Sequence, residues 1–308
     1  MTRSSPSKIK RITKQIKKDT VLNDLETMPK RRFHNCITER NNIEVTIESR
    51  IPIPKDSDWF VGVTAAPRKK QTIQVTLDSL HTAGWAPIIF AEPDTHKVDG
   101  YKYINNSVRL GAWYNWLQLI KYGLSTNAKY ILSVQDDTQF HPGSREVAEY
   151  VMFPDNQTGF ISLYTAKQYS EDRSGNSRPF GLNRIHTSSF WGACALIFSR
   201  HAAYQIINHP SAINWTGIPP STLNDTEKKE LEIHKKENPY LIQNVDTAIG
   251  RIVNALHLNM YVVDPSPVRH TATVSSIGHG SNTNKRNCSR CASHSISLMD
   301  QVFPKRIR

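Results

Sequence analysis

An α/β fold with a mostly parallel central sheet flanked by helices is what this sequence predicts, on three observations. Short apolar runs rich in β-branched and aromatic residues alternate with amphipathic stretches over residues 59–134, the pattern of parallel strands joined by right-handed crossovers. The runs end in Gly, Pro or charged residues, which is turn chemistry. The 308 residues suit one large α/β domain with extensions, and 38% hydrophobic residues with six Trp supply a sizeable core.

The elements follow in order. Trp59-Phe60-Val61-Gly62-Val63-Thr64 reads as the first buried strand, and Ala65 to Lys70 as the loop after it. Gln71 to Ala83 reads as a helix with Ile73, Leu77 and Leu80 on one face, ended by Gly84. Pro87 to Ala91 is a strand with the turn Glu92-Pro93-Asp94 behind it, Gly111 to Tyr122 a helix, and Tyr130 to Val134 a strand. The second half is more mixed. Phe160–Tyr164, Ala193–Phe198 and Met260–Val263 read as strands, and Arg200–Ile207, Asp225–Lys236 and Asp246–Leu256 as helices. Residues 1–55 read as a basic N-terminal extension ending in the proline-locked linker Ile51-Pro52-Ile53-Pro54, residues 56–280 as the main domain, and 281–308 as a basic C-terminal tail.

The net charge of +12 is uneven, because residues 1–33 hold ten Lys/Arg against three Asp/Glu. A basic arm of this kind favours polyanions such as nucleic acid through sequence-independent phosphate contacts, and it equally suits a solvated tail. Lys285, Arg286, Arg290, Lys305, Arg306 and Arg308 repeat that alternative at the other end. No apolar run approaches the roughly 18 residues needed to span a bilayer, and Met1-Thr2-Arg3-Ser4-Ser5 does not resemble a signal peptide. A soluble, cytoplasmic protein is therefore expected. Four cysteines are too few and scattered for a disulfide framework. Cys288-x-x-Cys291 with His294 supplies half of a zinc pattern that remote ligands such as His34 and Cys36 would have to complete. A pair of reduced thiols fits the spacing better.

The candidate chemistry falls at loop positions after strands. Asp136 and Asp137 follow Tyr130–Val134, at the carboxyl edge where open α/β sheets bind ligands. Paired aspartates are hard oxygen ligands for Mg²⁺ or Mn²⁺, metals that usually share their shell with phosphates; a solvated acidic turn would show the same pair. Thr64-Ala65-Ala66-Pro67-Arg68 offers small residues for close approach and an Arg that can hold a phosphate or stack on a base. Glu92 and Asp94 are placed to accept hydrogen bonds from a ribose or base. His270, after the last strand, would complete a mixed Mn²⁺ site with the carboxylates, or serve as a structural histidine. Gly278-His279-Gly280 is a flexible loop able to close over phosphates.

Taken in this order, the motifs resemble a GT-A-fold glycosyltransferase, a Rossmann-like family. The resemblance is carried by Val63-Thr64-Ala65-Ala66-Pro67-Arg68, Thr76-Leu77-Asp78-Ser79-Leu80, Gln135-Asp136-Asp137, Trp191-Gly192-Ala193, Asn244-Val245-Asp246 and Pro265-x-Pro267-Val268-x-His270. It spans about residues 59–280, and in detail the chain is similar to uncharacterised bacterial and phage glycosyltransferases. The resemblance implies a nucleotide-sugar donor, most often UDP-linked, held in a half at 56–145, and an acceptor half at 146–280. By position it implies Asp137 and His270 as metal ligands and Asp136 on the ribose or sugar hydroxyls. Thr64, Ala65, Pro67, Arg68, Glu92, Asp94 and Gln135 would line the donor site, and Trp191 and Gly192 the acceptor site. Asp246 is implied as the catalytic base, although a residue opening a helix also caps it. Gln135 departs from the Asp or Glu of many members. The acceptor is open: a hydroxylated base in DNA would suit the basic arm, and protein, glycan and small molecules remain. A nucleotidyltransferase would usually show a Gly-rich, Lys-containing loop after the first strand, where this chain has Ala-Ala-Pro-Arg. A non-catalytic nucleic-acid-binding protein would leave the Asp pair without a role.

Overall fold

The computed structural model describes residues 46–48, 58–68, 70–151, 153–172, 174–187, 190–213, 245–271 and 298–302. The central sheet is nine-stranded. Its strands are β1 (Thr46–Glu48), β2 (Trp59–Ala65), β3 (Ile88–Ala91), β4 (Lys102–Asn105), β5 (Tyr130–Gln135), β7 (Thr158–Ser162), β8 (Gly181–Ile185), β9 (Ala195–Ser199) and β10 (Asn259–Asp264). Their spatial order is β1-β4-β3-β2-β5-β9-β7-β10-β8. β2, β3, β4, β5, β7 and β10 run one way, and β1, β8 and β9 run against them. The predicted α/β architecture with a mostly parallel sheet is therefore the observed one. β2, β3, β7 and β10 are buried along almost their whole lengths, as expected of strands covered on both faces. A two-stranded ribbon of β6 (Thr138–Phe140) and β11 (Val268–His270) stands beside the sheet.

The helices are α1 (Ile73–Thr82), α2 (Gly111–Ser125), α3 (Ser144–Tyr150), α4 (Arg200–Asn208), α5 (Pro210–Ile213), α6 (Val245–Ala255) and α7 (Leu298–Val302). α2 lies on β2, β3 and β5 and also meets α4 and α6, whereas α1 packs on β6. The approach of α2 depends on Gly62, where a Cβ would sit 2.5 Å from Leu119 Cγ. Ser199 caps α4 by accepting a hydrogen bond from Ala202 N.

Sequence and structure part at short elements. Lys102-Tyr103-Ile104-Asn105 adds β4, parallel to β3, between two elements predicted to be consecutive. It has only two fully buried positions, Tyr103 and Ile104, too little pattern to register. Thr46–Glu48, within the stretch expected to be linker, pairs antiparallel with β4. β9 runs antiparallel between β5 and β7, a direction that no run of apolar residues reveals. In the tail expected after residue 280, Leu298–Val302 forms a short helix in contact with α3. The helix expected at 225–236, the basic arm over 1–33, the Cys288/Cys291 group and the 278–280 loop lie outside the described residues.

Asp155 ties the starts of the neighbouring strands β7 and β10 together. Its carboxylate accepts from Gln157 N at 2.9 Å, Thr158 Oγ1 at 2.9 Å, Asn259 Nδ2 at 2.9 Å and Tyr261 Oη at 2.6 Å. Burial works against its charge, but these donors outweigh it and hold the carboxyl below its ordinary value, while Tyr261 is pushed up to about 12. Asp155→Ala is expected to cost about 2 kcal/mol in urea unfolding, since a charged acceptor with several donors is lost. A folded-state pKa that is lowered contributes stability above the unfolded value near 4. That contribution disappears as pH falls through the lower folded value. Asp155→Asn should remove this acid-side dependence, and an unchanged pH profile would contradict the assignment.

Candidate active site at the carboxyl edge of the sheet

β2 and β5 run side by side with Thr64 opposite Gln135, so the loop after β2 and the turn after β5 emerge together. Asp136 and Asp137 form the turn between β5 and β6. Asp136 N donates to Thr64 O at 3.1 Å, and Gln135 N donates to Cys194 O at 2.9 Å. The Thr138 hydroxyl donates to the same Cys194 carbonyl at 3.1 Å. The acidic turn is thus fastened on one side to the loop after β2 and on the other to the segment leading into β9.

Both aspartates are buried; they share Arg68 and otherwise have different partners. Asp136 Oδ2 accepts from Ala66 N at 3.1 Å, and Oδ1 accepts from Arg68 Nε at 3.0 Å and Nη2 at 2.5 Å. Its oxygens therefore hold the 65–68 loop in place, and any donor hydroxyl would have to share them. Asp137 Oδ2 lies 2.9 Å from Arg68 Nη2 and 3.1 Å from His270 Nε2. Burial pushes the Asp136 carboxyl up, more than Arg68 pulls it down. Burial also acts upward on Asp137, yet the His270 hydrogen bond, the His270 charge and Arg68 together hold it below its ordinary value.

His270 comes from 133 residues downstream because β11 pairs with β6, with His270 opposite Thr138. Thr271 completes the junction, its N and Oγ1 donating to Asp137 O at 2.8 and 2.9 Å. Contact with Asp137 Oδ2 favours a proton on Nε2, and a ring in that neutral tautomer would carry its lone pair on Nδ1. That Nδ1 and Asp137 Oδ1 are both buried and have no hydrogen-bond partner among the described residues. Orphaned buried atoms are rare and ask for a reason. An imidazole nitrogen and a carboxylate oxygen are each a donor type that suits Mn²⁺. Among the described residues no three His, Cys, Asp or Glu side chains gather to hold an ion. The protein thus offers these two atoms singly, because the ring that turns Nε2 to Asp137 turns Nδ1 away from it, and water and phosphate oxygens would have to supply the rest of any shell.

Trp191 and Gly192 form a turn that is anchored on several sides. Trp191 N donates to Tyr169 Oη at 2.8 Å, and Gly192 N donates to Asp246 Oδ2 at 3.1 Å. Gly192 has φ +96, and a Cβ there would sit 2.6 Å from Tyr164 Cδ1, so only Gly fits on both counts. The Trp191 side chain is nevertheless 51% exposed. An indole held out to solvent on a fixed backbone is an aromatic surface for a ring or sugar face. Asp246 lies in the first turn of α6, and its Oδ1 accepts from Thr247 N at 2.9 Å. It therefore both supports its own helix and pins the Trp191 turn. Burial, then the charges of Asp137 and Asp246, push the Cys194 thiol up. Gly192, bonded to Asp246, stands two residues before Cys194, whose carbonyl accepts from Gln135 N and Thr138 Oγ1 on either side of the aspartates. The metal-side and acceptor-side candidates accordingly belong to one neighbourhood.

Around this centre, Thr64 and Ala65 act through the backbone, Ala65 O accepting from Glu92 N at 2.9 Å. Pro67 and Gln135 are half-buried. Glu92 is buried, and its Oε2 accepts from Leu110 N at 2.8 Å at the start of α2. Asp94 is exposed with φ 63, a left-handed conformation that Asp tolerates. Tyr169 and Cys194 were not legible as site residues. Tyr169 lies in an isolated 3₁₀ turn and Cys194 in an apolar run, and neither pattern signals a contact made across the fold.

No family model and no curated protein matches the chain. Among solved structures, one that it resembles is a mannosyltransferase from Pyrobaculum calidifontis in complex with GDP-mannose and Mn²⁺, at 8% identity and a TM-score of 0.32. The match covers 57% of this chain and 52% of that one, so the chain spans about half the length of that structure.

Proposed function

We propose that the protein is a metal-dependent glycosyltransferase that moves a sugar from a nucleoside-diphosphate sugar, UDP-linked, to an acceptor hydroxyl. The observation that carries this reading is the Arg68–Asp136–Asp137–His270 cluster at the carboxyl edge of the sheet, with Asp137 Oδ1 and His270 Nδ1 unpartnered among the described residues. The sequence motifs that resemble GT-A glycosyltransferases fall on the same residues.

In this reading Asp137 and His270 would hold a divalent ion once their mutual contact opens, and the ion would supply Lewis-acid neutralisation of the departing diphosphate. Arg68 lies beside them and offers a fork suited to phosphate oxygens. The bond from the anomeric carbon to the diphosphate oxygen breaks, a bond to the acceptor oxygen forms, and the acceptor proton passes to Asp246. Each Asp246 oxygen already accepts one backbone N–H. The Trp191 ring stacks on the acceptor. The loops after β2 and β3, with Thr64, Ala65, Pro67, Glu92, Asp94 and Gln135, form the wall on the nucleotide side.

For the acceptor we infer a hydroxylated base in nucleic acid. Residues 34–284 hold 23 Lys/Arg and 23 Asp/Glu, so the whole excess of +12 resides in the two ends. Two basic ends on a neutral domain suit a long polyanion better than a small acceptor. Deleting residues 1–33, which leaves the paired strand Thr46–Glu48 intact, should weaken DNA binding and flatten its dependence on salt. Salt dependence equal to that of the full chain would remove the arm from acceptor binding. The reading as a whole is tested by incubating the protein with a panel of nucleotide sugars and Mn²⁺, scoring release of the nucleotide, and repeating with hydroxymethylated DNA. Absence of turnover with every donor, with and without DNA, would overturn it.

A further inference from the structure

We infer that Arg68 is a built-in counter-cation of the acidic turn, so that a divalent ion enters the site tightly only together with a nucleoside diphosphate. The inference rests on the function proposed above and adds an order of assembly to it.

Arg68 touches both aspartates, and the two contacts differ. Two of its nitrogens bond Asp136 Oδ1, at 3.0 and 2.5 Å, whereas Asp137 Oδ2 receives one contact at 2.9 Å. Asp136 is itself anchored to Ala66 N. The guanidinium is thus tethered through Asp136 and can give up Asp137 without leaving the site. Its Nε and Nη2 carry all of these bonds, and Nη1 bonds no described residue. Donors of the fork therefore remain for an incoming anion.

The charges then set the order. With only 11% of the Arg68 side chain exposed, solvent screens the group poorly. A divalent ion taking the unpartnered Asp137 Oδ1 would lie roughly 5 Å from the guanidinium, a like-charge approach that opposes binding. A diphosphate supplies anionic oxygens to both cations at once. Arg68 can then exchange its Asp137 contact for phosphate while keeping Asp136. Because coupling is reciprocal, the ion tightens the nucleotide by the same factor as the nucleotide tightens the ion.

The test is Mn²⁺ binding, read from the electron paramagnetic resonance signal of free Mn²⁺, on the full-length protein with and without UDP and GDP. Wild type is expected to bind Mn²⁺ at least tenfold tighter when one of these nucleotides is present, after correction for the Mn²⁺–nucleotide complex in solution. Arg68→Gln is expected to bind Mn²⁺ alone at least tenfold tighter than wild type and to lose most of the coupling, and Arg68→Lys, which keeps the charge, to stay near wild type. A cooperatively melting Arg68→Gln protein that binds Mn²⁺ no tighter than wild type overturns the inference and leaves the proposed function standing. If Arg68→Gln does not fold, wild type decides: equal Mn²⁺ affinity with and without both nucleotides overturns it. Absence of Mn²⁺ binding under every condition overturns the metal-dependent reading and this inference with it.

Discussion

Asp137→Asn is expected to lower nucleotide release and sugar transfer at least about 100-fold, the upper range for loss of even an outer-shell partner of a metal. The fold should survive the change. The Asp137 backbone carbonyl keeps its bonds from Thr271 N and Oγ1, and an amide fills the volume of the carboxylate. What is removed is the charge that His270 and Arg68 now stabilise and the anionic Oδ1 that has no partner among the described residues. Nucleotide release with Mn²⁺ present, measured beside a thermal melt, separates the two effects. Full activity in a folded Asp137→Asn protein would show that this carboxylate does not ligate the ion.

Asp136→Ala is expected to act on stability first, costing about 3–5 kcal/mol, because it strands a buried Arg68 without its main partner. It also releases Ala66 N, so the loop after β2 loses two anchors at once. Combining it with Arg68→Met should recover much of the loss, since replacing both members of a buried pair with apolar groups is far less damaging than removing one. Urea unfolding of the two single variants and the double variant closes the cycle. A single Asp136→Ala variant as stable as wild type would mean that the pair does not hold the loop.

The contrast between the adjacent aspartates shows where sequence reasoning stops. Both stand after the same apolar run, and their position at a strand end was legible from Tyr130–Val134 alone. Their division of labour was not, because it depends on Arg68 and Ala66 arriving from β2 and on His270 arriving from β11. Periodicity reports how a segment sits against the core and carries nothing about which distant segment lies beside it. Glu92 makes the same point. Its place after β3 suggested a ribose contact, and only the fold shows its carboxylate bonded to Leu110 N at the start of α2.

By itself the sequence determined the α/β class, the register of apolar runs that become β2, β3, β5 and β10, and the loops on which charged residues fall. Those are local properties, set by side-chain period and turn chemistry. Only the tertiary structure decided that β9 reverses direction between β5 and β7, that β4 intervenes after β3, and that Tyr169 and Asp246 accept from the backbone of Trp191 and Gly192. Strand direction and side-chain partnership are settled by which burial and hydrogen-bond arrangement satisfies all segments together. That choice has no signature within any one of them.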